Sequence, residues 1–185
     1  MKKLIGVSGF ATSGKDSIAK YLIREHEYNR VAFADPVRDM LYALNPIVPT
    51  PYTDGSYSRV KDVVDSVGWD DAKVHCPEIR ELLQRLGTDA GRKVLGENIW
   101  VDAAFVTADK SYKVVVFPDC RFENECQAIH ERGGTVIRVT RPGITSVNDH
   151  ISDKKLNSRY IDVELINDGT IQNLEDKIAN LLKAL

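Results

Sequence analysis

The sequence predicts an α/β protein with a central parallel sheet of about five strands and helices on both faces, making three layers, with mobile segments outside the sheet. Three observations carry this expectation. Short apolar runs alternate with stretches of helical spacing; the first run ends in a glycine-rich turn that leads into a helix; and Val114 to Phe117 is apolar on both faces, as a central parallel strand requires. At 185 residues and 43% hydrophobic composition, the chain can bury one substantial core, so a single domain over 1–185 is expected.

Taken in order, Leu4 to Ser8 is the first strand, and Ile18, Ala19, Leu22 and Ile23 follow at helical spacing. Val31 to Ala34 reads as a second strand. Asp35 then serves as N-cap, with Pro36 at the first position of a helix that runs through Met40 and Leu41. Between Asn45 and Pro77 the pattern weakens: three prolines within Asn45 to Pro51 and the pair Asp54-Gly55 predict a loop or mobile flap. Helical spacing returns at Ile79, Leu82, Leu83 and Leu86. After the central strand, Phe122, Cys126 and Ile129 mark a helix. Thr135 to Val139 and Ile161 to Ile166 are further strands, and Ile171, Leu174, Ile178, Leu181, Leu182 and Leu185 line one face of a closing helix. Sheets of this kind bind ligands at the carboxyl ends of their strands.

Several classes of partner are disfavoured. Lys+Arg 25 against Asp+Glu 27 gives a net charge of -2, so no overall basic excess advertises a nucleic-acid polymer or an anionic membrane as partner. The opening apolar run is interrupted by Gly6 and Ser8 before a signal peptide or membrane span could form, and a cytoplasmic protein is expected. The three cysteines, Cys76, Cys120 and Cys126, lack zinc-site spacing, as do the scattered histidines; free thiols in a reducing compartment are expected.

The segment GFATSGKD, Gly9 to Asp16, places two glycines four residues apart and then a lysine between strand and helix. That spacing lets backbone N–H groups wrap a phosphate chain at a helix N-terminus, while Lys15 neutralises the outer phosphates. Gly9, Thr12, Ser13, Gly14, Lys15, Asp16 and Ser17 form this cradle. Asp16 stands where Ser or Thr usually binds magnesium, and Ser17 follows. A carboxylate there can hold a hard cation, accept a proton, or do both, or it can simply favour the helix start; the metal role is preferred, because an ionised acceptor phosphate needs little help from a base.

VVVFPDCRFENE places Asp119 just past a buried strand, in position to orient a magnesium shell or to act as an N-cap. Arg121 follows, and Glu125 lies one turn on, where it can orient Arg121. Transfer between two phosphates gathers negative charge, so further arginines are needed to hold the acceptor and offset charge in the transition state. Arg85, on a helix beside the turn at Gly87, suits this best. Arg38, Arg92 and Arg159 are as readily solvated surface residues, and Arg138 and Arg141 flank a strand end. Trp100 can stack on a base or pack in the core. The loop INDGT, with Asn167 and Gly169, is placed to meet a donor base through backbone groups, with Thr170 as a helix cap.

GFATSGKDS, FADPVRDML, LQRLGTDAGR followed by ENIWVD, VFPDCRFENE, GGTVIRVTRPG and INDGT resemble, in order and over nearly the whole chain, bacteriophage deoxynucleoside monophosphate kinases. The resemblance implies an adenylate-kinase-like P-loop fold, with an acceptor-binding helical insertion over approximately 36–108 and a lid-like segment over approximately 142–160. It implies ATP and Mg2+, a dNMP acceptor, dNDP and ADP as products, and a possible homodimer. Ser13, Gly14, Lys15, Asp16 and Ser17 match the family's phosphate loop, Arg85 its acceptor-side helix, and Asp119, Arg121 and Glu125 its DxRxxxE element. Lys15, Asp16, Arg85, Asp119, Arg121 and Glu125 are thus the expected catalytic set, with Asp16, Ser17 and Asp119 toward the metal. Asp35, Arg38, Arg85, Asp89, Trp100 and Arg121 fall to the acceptor, and Arg138, Asn167 and Gly169 to the donor. A phosphomevalonate-type kinase and a non-catalytic nucleotide switch are the competing readings; the chain lacks a guanine-reading NKxD-type segment, which disfavours the switch.

Overall fold

The computed structural model describes residues 4–49, 56–144 and 156–184. In chain order its elements are β1 (Leu4–Ser8), α1 (Lys15–His26), β2 (Asn29–Arg30), α2 (Asp35–Leu44), β3 (Ile47–Pro49), β4 (Tyr57–Arg59), α3 (Val60–His75) and α4 (Pro77–Gln84). A π-helix (Arg85–Leu95), α5 (Ile99–Asp109), β5 (Val115–Phe117), α6 (Glu123–Glu131), β6 (Thr135–Thr140), a 3-10 turn (Ser158–Tyr160), β7 (Val163–Ile166) and α7 (Ile171–Ala184) follow. They divide into two compact units, one formed by Met1–Phe33 with Ala104–Leu185 and the other by Ala34–Ala103.

The first unit holds a five-stranded sheet in the order β2-β5-β1-β6-β7, parallel throughout. Val116, Ile5, Val7, Ile137 and Val139 from the strands pack with Ile18 and Leu22 of α1 and Leu174 and Ile178 of α7 in one buried cluster. Each such apolar side chain contributes on the order of 1.5–3 kcal/mol when fully buried. Phe33, Phe105 and Phe117 form an aromatic group, with Phe33 stacked on Phe117 at 4.7 Å between ring centroids. Register decides what meets at the carboxyl edge. Gly6 pairs with Phe117, Ser8 with Arg138, and Thr140 with Ile166, so the segments that follow β1, β5 and β7 emerge at the same end of the sheet. The amide of Cys120 carries the β1–β5 pairing one step further, bonding the Val7 carbonyl at 3.1 Å.

Three local expectations change. The second strand is Asn29–Arg30 rather than Val31 to Ala34. The Val31 amide still reaches the Val116 carbonyl at 3.1 Å, but the Phe33 amide bonds the Asp119 carboxylate at 3.0 Å, which takes the chain out of the ladder. Asp35 does not cap α2; it is the first helical residue, Ala34 holds the cap position, and the Asp35 carboxylate lies 3.6 Å from Arg38. In α7, Leu174 and Ile178 are buried, whereas Ile171 in the first turn is exposed. Leu185 lies outside the described residues, as do 145–155 of the expected lid.

The second unit corrects the expectation of a loop between Asn45 and Pro77. β3 and β4 pair antiparallel, and α3 occupies Val60–His75 with a kink at Gly68. Leu41, Val48, Val60, Val63, Val64, Ala72, Cys76 and Ile79 form this unit's core. Val60, Val63, Val64 and Val67 follow helical spacing, a signal masked by the prolines and Asp54-Gly55 upstream. Residues 50–55 lie outside the described residues. α4 passes directly into the π-helix, where Trp100 packs against Gly91.

Candidate active site

The loop after β1 is built by backbone conformation. Gly9 and Gly14 have φ of 151° and 108°, and Thr12 a φ of 62°, positive values that glycine enters freely and that turn the chain tightly between β1 and α1. Side chains at the two glycines would also collide with the loop's own supports: a Cβ on Gly9 would fall 2.6 Å from Ser13 Oγ, and one on Gly14 2.6 Å from Asn167 Nδ2. The Ser13 amide bonds the Phe10 carbonyl at 3.2 Å. Gly14 caps α1 in the left-handed region, so the loop ends on a helix N-terminus that favours negative charge.

Lys15 Nζ lies 2.8 Å from Asp16 Oδ1, with the lysine side chain 13% exposed and the aspartate 69%. Ser13 Oγ is buried without a hydrogen-bond partner among the described residues. A buried hydroxyl left unpaired costs on the order of 1–3 kcal/mol, and a phosphate oxygen in the cradle would relieve that cost. The donor set fits a polyphosphate. The oxygens of Asp16, Ser17 and Asp119 are hard ligands of the kind Mg2+ takes.

Beside the loop, Asp119 lies two residues past the end of β5, is half-buried and accepts the Phe33 amide. Arg121 is exposed at the start of α6. Glu125, only 1% exposed, accepts the backbone amides of Arg121 at 2.7 Å and Phe122 at 3.0 Å. It thus fixes the main chain that carries Arg121 and caps the helix from its third residue. Burial first, and then the neighbouring Cys126 thiol, raise the Cys120 pKa well above its ordinary value. Cys120 is therefore a protonated core residue and not a nucleophile.

At the β7 end, Asn167 is 9% exposed, its amide bonding the Thr140 carbonyl at 2.7 Å and its Nδ2 the Ser13 carbonyl at 2.8 Å. Gly169 is exposed in the next turn. Thr170 caps α7 by exchanging hydrogen bonds with Asn173, as its position in the sequence predicts. Arg138 departs from expectation. It is 3% exposed, and its guanidinium donates to the Leu156 carbonyl and the Ser158 hydroxyl, so it braces the chain beside β6 and is not presented to a donor nucleotide.

Within the second unit, Arg85 opens the π-helix with its side chain 66% exposed and Nη1 4.0 Å from Glu81. Asp89 pairs with Lys93 at 2.6 Å, and Arg38 with Asp35. Trp100 is corrected as a stacking platform. It is 2% exposed, and its indole N–H donates to the Gly87 carbonyl at 2.7 Å, which also accepts from Arg92 at 3.0 Å. Both donors converge on one carbonyl of the π-helix. The Asn167 and Glu125 bonds to main chain, like the Phe33–Asp119 bond, escaped the sequence reading, because they depend on backbone direction and not on residue spacing.

A glycine-built phosphate loop with its lysine, joined across a parallel sheet to a second acidic strand end, places the chain in the class of P-loop kinases. The deoxynucleotide monophosphate kinase family model matches residues 53–178, and the chain belongs to that family. It is 33% identical over 136 residues to the deoxynucleotide monophosphate kinase of Enterobacteria phage T4, covering 70% of this chain and 53% of that protein. It thus spans about half the length of the T4 protein. Against the deoxynucleoside-5'-monophosphate kinase of Escherichia phage T5 the identity is 26%, covering 97% of this chain and 96% of the relative. Among solved structures, dephospho-CoA kinase from Campylobacter jejuni aligns with a TM-score of 0.49 and 12% identity, over 99% of this chain and 96% of that one. Among the described residues no helix is long and apolar enough to cross a membrane.

Proposed function

We propose that the protein transfers the γ-phosphoryl group of ATP to the phosphate of a deoxynucleoside monophosphate, giving dNDP and ADP. The observation that carries this is the phosphate loop itself, with Lys15 at its end and the unpaired Ser13 hydroxyl inside it, in a chain of the deoxynucleotide monophosphate kinase family.

In this reading the loop amides and Lys15 hold the donor's β- and γ-phosphates. An oxygen of the acceptor phosphate forms a bond to the γ-phosphorus as the bond to the β–γ bridging oxygen breaks, and the ADP oxygen leaves as an anion. The transition state is loose and its charge lies on phosphoryl oxygens, so catalysis rests on positioning and charge neutralisation. Lys15 and Arg121 supply positive charge, and Glu125 sets the backbone under Arg121. Asp16, Ser17 and Asp119 would hold Mg2+, which would supply positive charge against that of the phosphates. Arg85, Arg38, Asp35 and Asp89 of the Ala34–Ala103 unit serve the acceptor nucleotide.

The test is a coupled ADP assay with ATP and Mg2+ against each dNMP, each NMP and phosphomevalonate. ADP production that requires a dNMP is expected. Turnover with phosphomevalonate and none with any dNMP would replace the reading.

A further inference from the structure

We infer that Asn167 is a positioning residue for the donor phosphates: its side-chain amide latches the Ser13–Gly14 peptide in the orientation that turns the Gly14 N–H toward the phosphate chain. This inference rests on the P-loop reading above and assigns Asn167 a role different from contact with the donor base.

The geometry is specific. Asn167 Nδ2 donates to the Ser13 carbonyl at 2.8 Å across a sequence separation of 154 residues, in a buried setting. The described chain has no cis peptide bonds, and in a trans peptide the C=O and N–H point in opposite directions. Drawing the Ser13 oxygen back toward Asn167 therefore directs the Gly14 hydrogen the other way, which on the P-loop reading is toward the phosphate chain. The alternative is a flipped peptide, which would present a carbonyl oxygen to the phosphates and repel them.

Gly14 is the residue where such a flip is easiest. It has φ 108° and ψ 1°, a region glycine enters freely. Its own carbonyl is committed to α1 through the Ile18 amide at 3.1 Å, so the peptide on its N-terminal side carries the remaining freedom. Asn167 removes that freedom. Its backbone is itself fixed by the bond to Thr140, and the latch sits against Gly14 so closely that a Cβ there would fall 2.6 Å from Nδ2 and 2.9 Å from Leu174 Cδ2. The missing side chain at Gly14 thus makes room for the amide that holds the loop.

The test separates phosphate from base by using inorganic tripolyphosphate, which has no base, beside ATP. Asn167→Asp replaces the donor by an oxygen that repels the Ser13 carbonyl, and Asn167→Ala removes it; the second variant serves if the first does not fold. Calorimetry on folded variants should show tripolyphosphate and ATP both weakened by about tenfold, the size of one hydrogen bond lost at a buried site, with dNMP affinity unchanged. In kinetics KM for ATP should rise while KM for dNMP holds. ATP weakened with tripolyphosphate unaffected would assign Asn167 to the base and overturn the latch. Equal weakening of tripolyphosphate and dNMP would reduce Asn167 to a general structural role and overturn it as well. If the wild-type chain bound no tripolyphosphate, the phosphate-loop reading would fall, and the latch with it.

Discussion

Lys15 and Asp16 pair across 2.8 Å, and in the proposed function a phosphate chain entering the loop would compete with Asp16 for that ammonium. Replacing the lysine should therefore abolish transfer without disturbing the fold, since its ammonium meets a carboxylate and not the core. For Lys15→Ala we expect turnover at saturating ATP to fall by at least about a thousandfold, or roughly 4 kcal/mol of transition-state stabilisation, with an unchanged melting temperature. Near-wild-type turnover would remove Lys15 from the chemistry. Asp16 distinguishes metal from base. With a metal role, Asp16→Asn raises the magnesium requirement and slows transfer, whereas Asp16→Ser keeps measurable activity through its hydroxyl. Initial rates against magnesium concentration decide, and an equal, magnesium-insensitive loss in both would point to proton transfer. The placement of Lys15 and Asp16 where the loop enters α1 was legible in the sequence, because it follows from position in a contiguous motif. The hydrogen bond from Asn167 to Ser13 was not, because the two residues are brought together only by the β1–β6–β7 register.

At the scale of elements, the π-helix depends on one close approach. Gly91 lies against the Trp100 ring with no space for a methyl group, and the indole N–H is held by the Gly87 carbonyl. Gly91→Ala should destabilise the protein by about 1–3 kcal/mol through overpacking, read as a lower denaturant midpoint with unchanged slope; a midpoint equal to wild type would show that the ring yields. α7 gives a prediction with a pH dependence. Lys177 donates to the Asp168 carboxylate at 2.6 Å and to the Ile166 carbonyl at 2.7 Å, and its hydrogen bond holds the Asp168 pKa below the ordinary value. A depressed folded pKa contributes stability above the unfolded pKa and loses it as pH falls through the folded one. The small melting-temperature difference between wild type and Lys177→Met should therefore be present at pH 7 and shrink below about pH 4. A difference that grows on acidification would contradict the pairing. Most strands and helices of the first unit were readable from apolar runs and 3.6-residue spacing, but α5, which spans the division between the units, was not expected. α3 was overlooked because turn-forming residues dominated its upstream flank, and the second strand was misplaced because buried Val31 to Phe33 are apolar without being paired throughout.

For the molecule as a whole, a glycine-built loop and an acidic strand end meet at one edge of a parallel sheet, in a chain of the deoxynucleotide monophosphate kinase family. The fold class was legible because alternating strand and helix signals leave few topologies. The division at Phe33 and Ala104 left no linker signature, the return falling inside α5. In the proposed function a phosphoryl group passes from ATP to a dNMP at the loop that Lys15 closes. The direct measurement follows label from γ-32P-ATP, with each dNMP in turn, in the wild type and in folded Lys15→Ala. Labelled dNDP is expected in the wild type and none above background in the variant; label released only as inorganic phosphate, or labelled dNDP formed equally by both proteins, would contradict the proposed function.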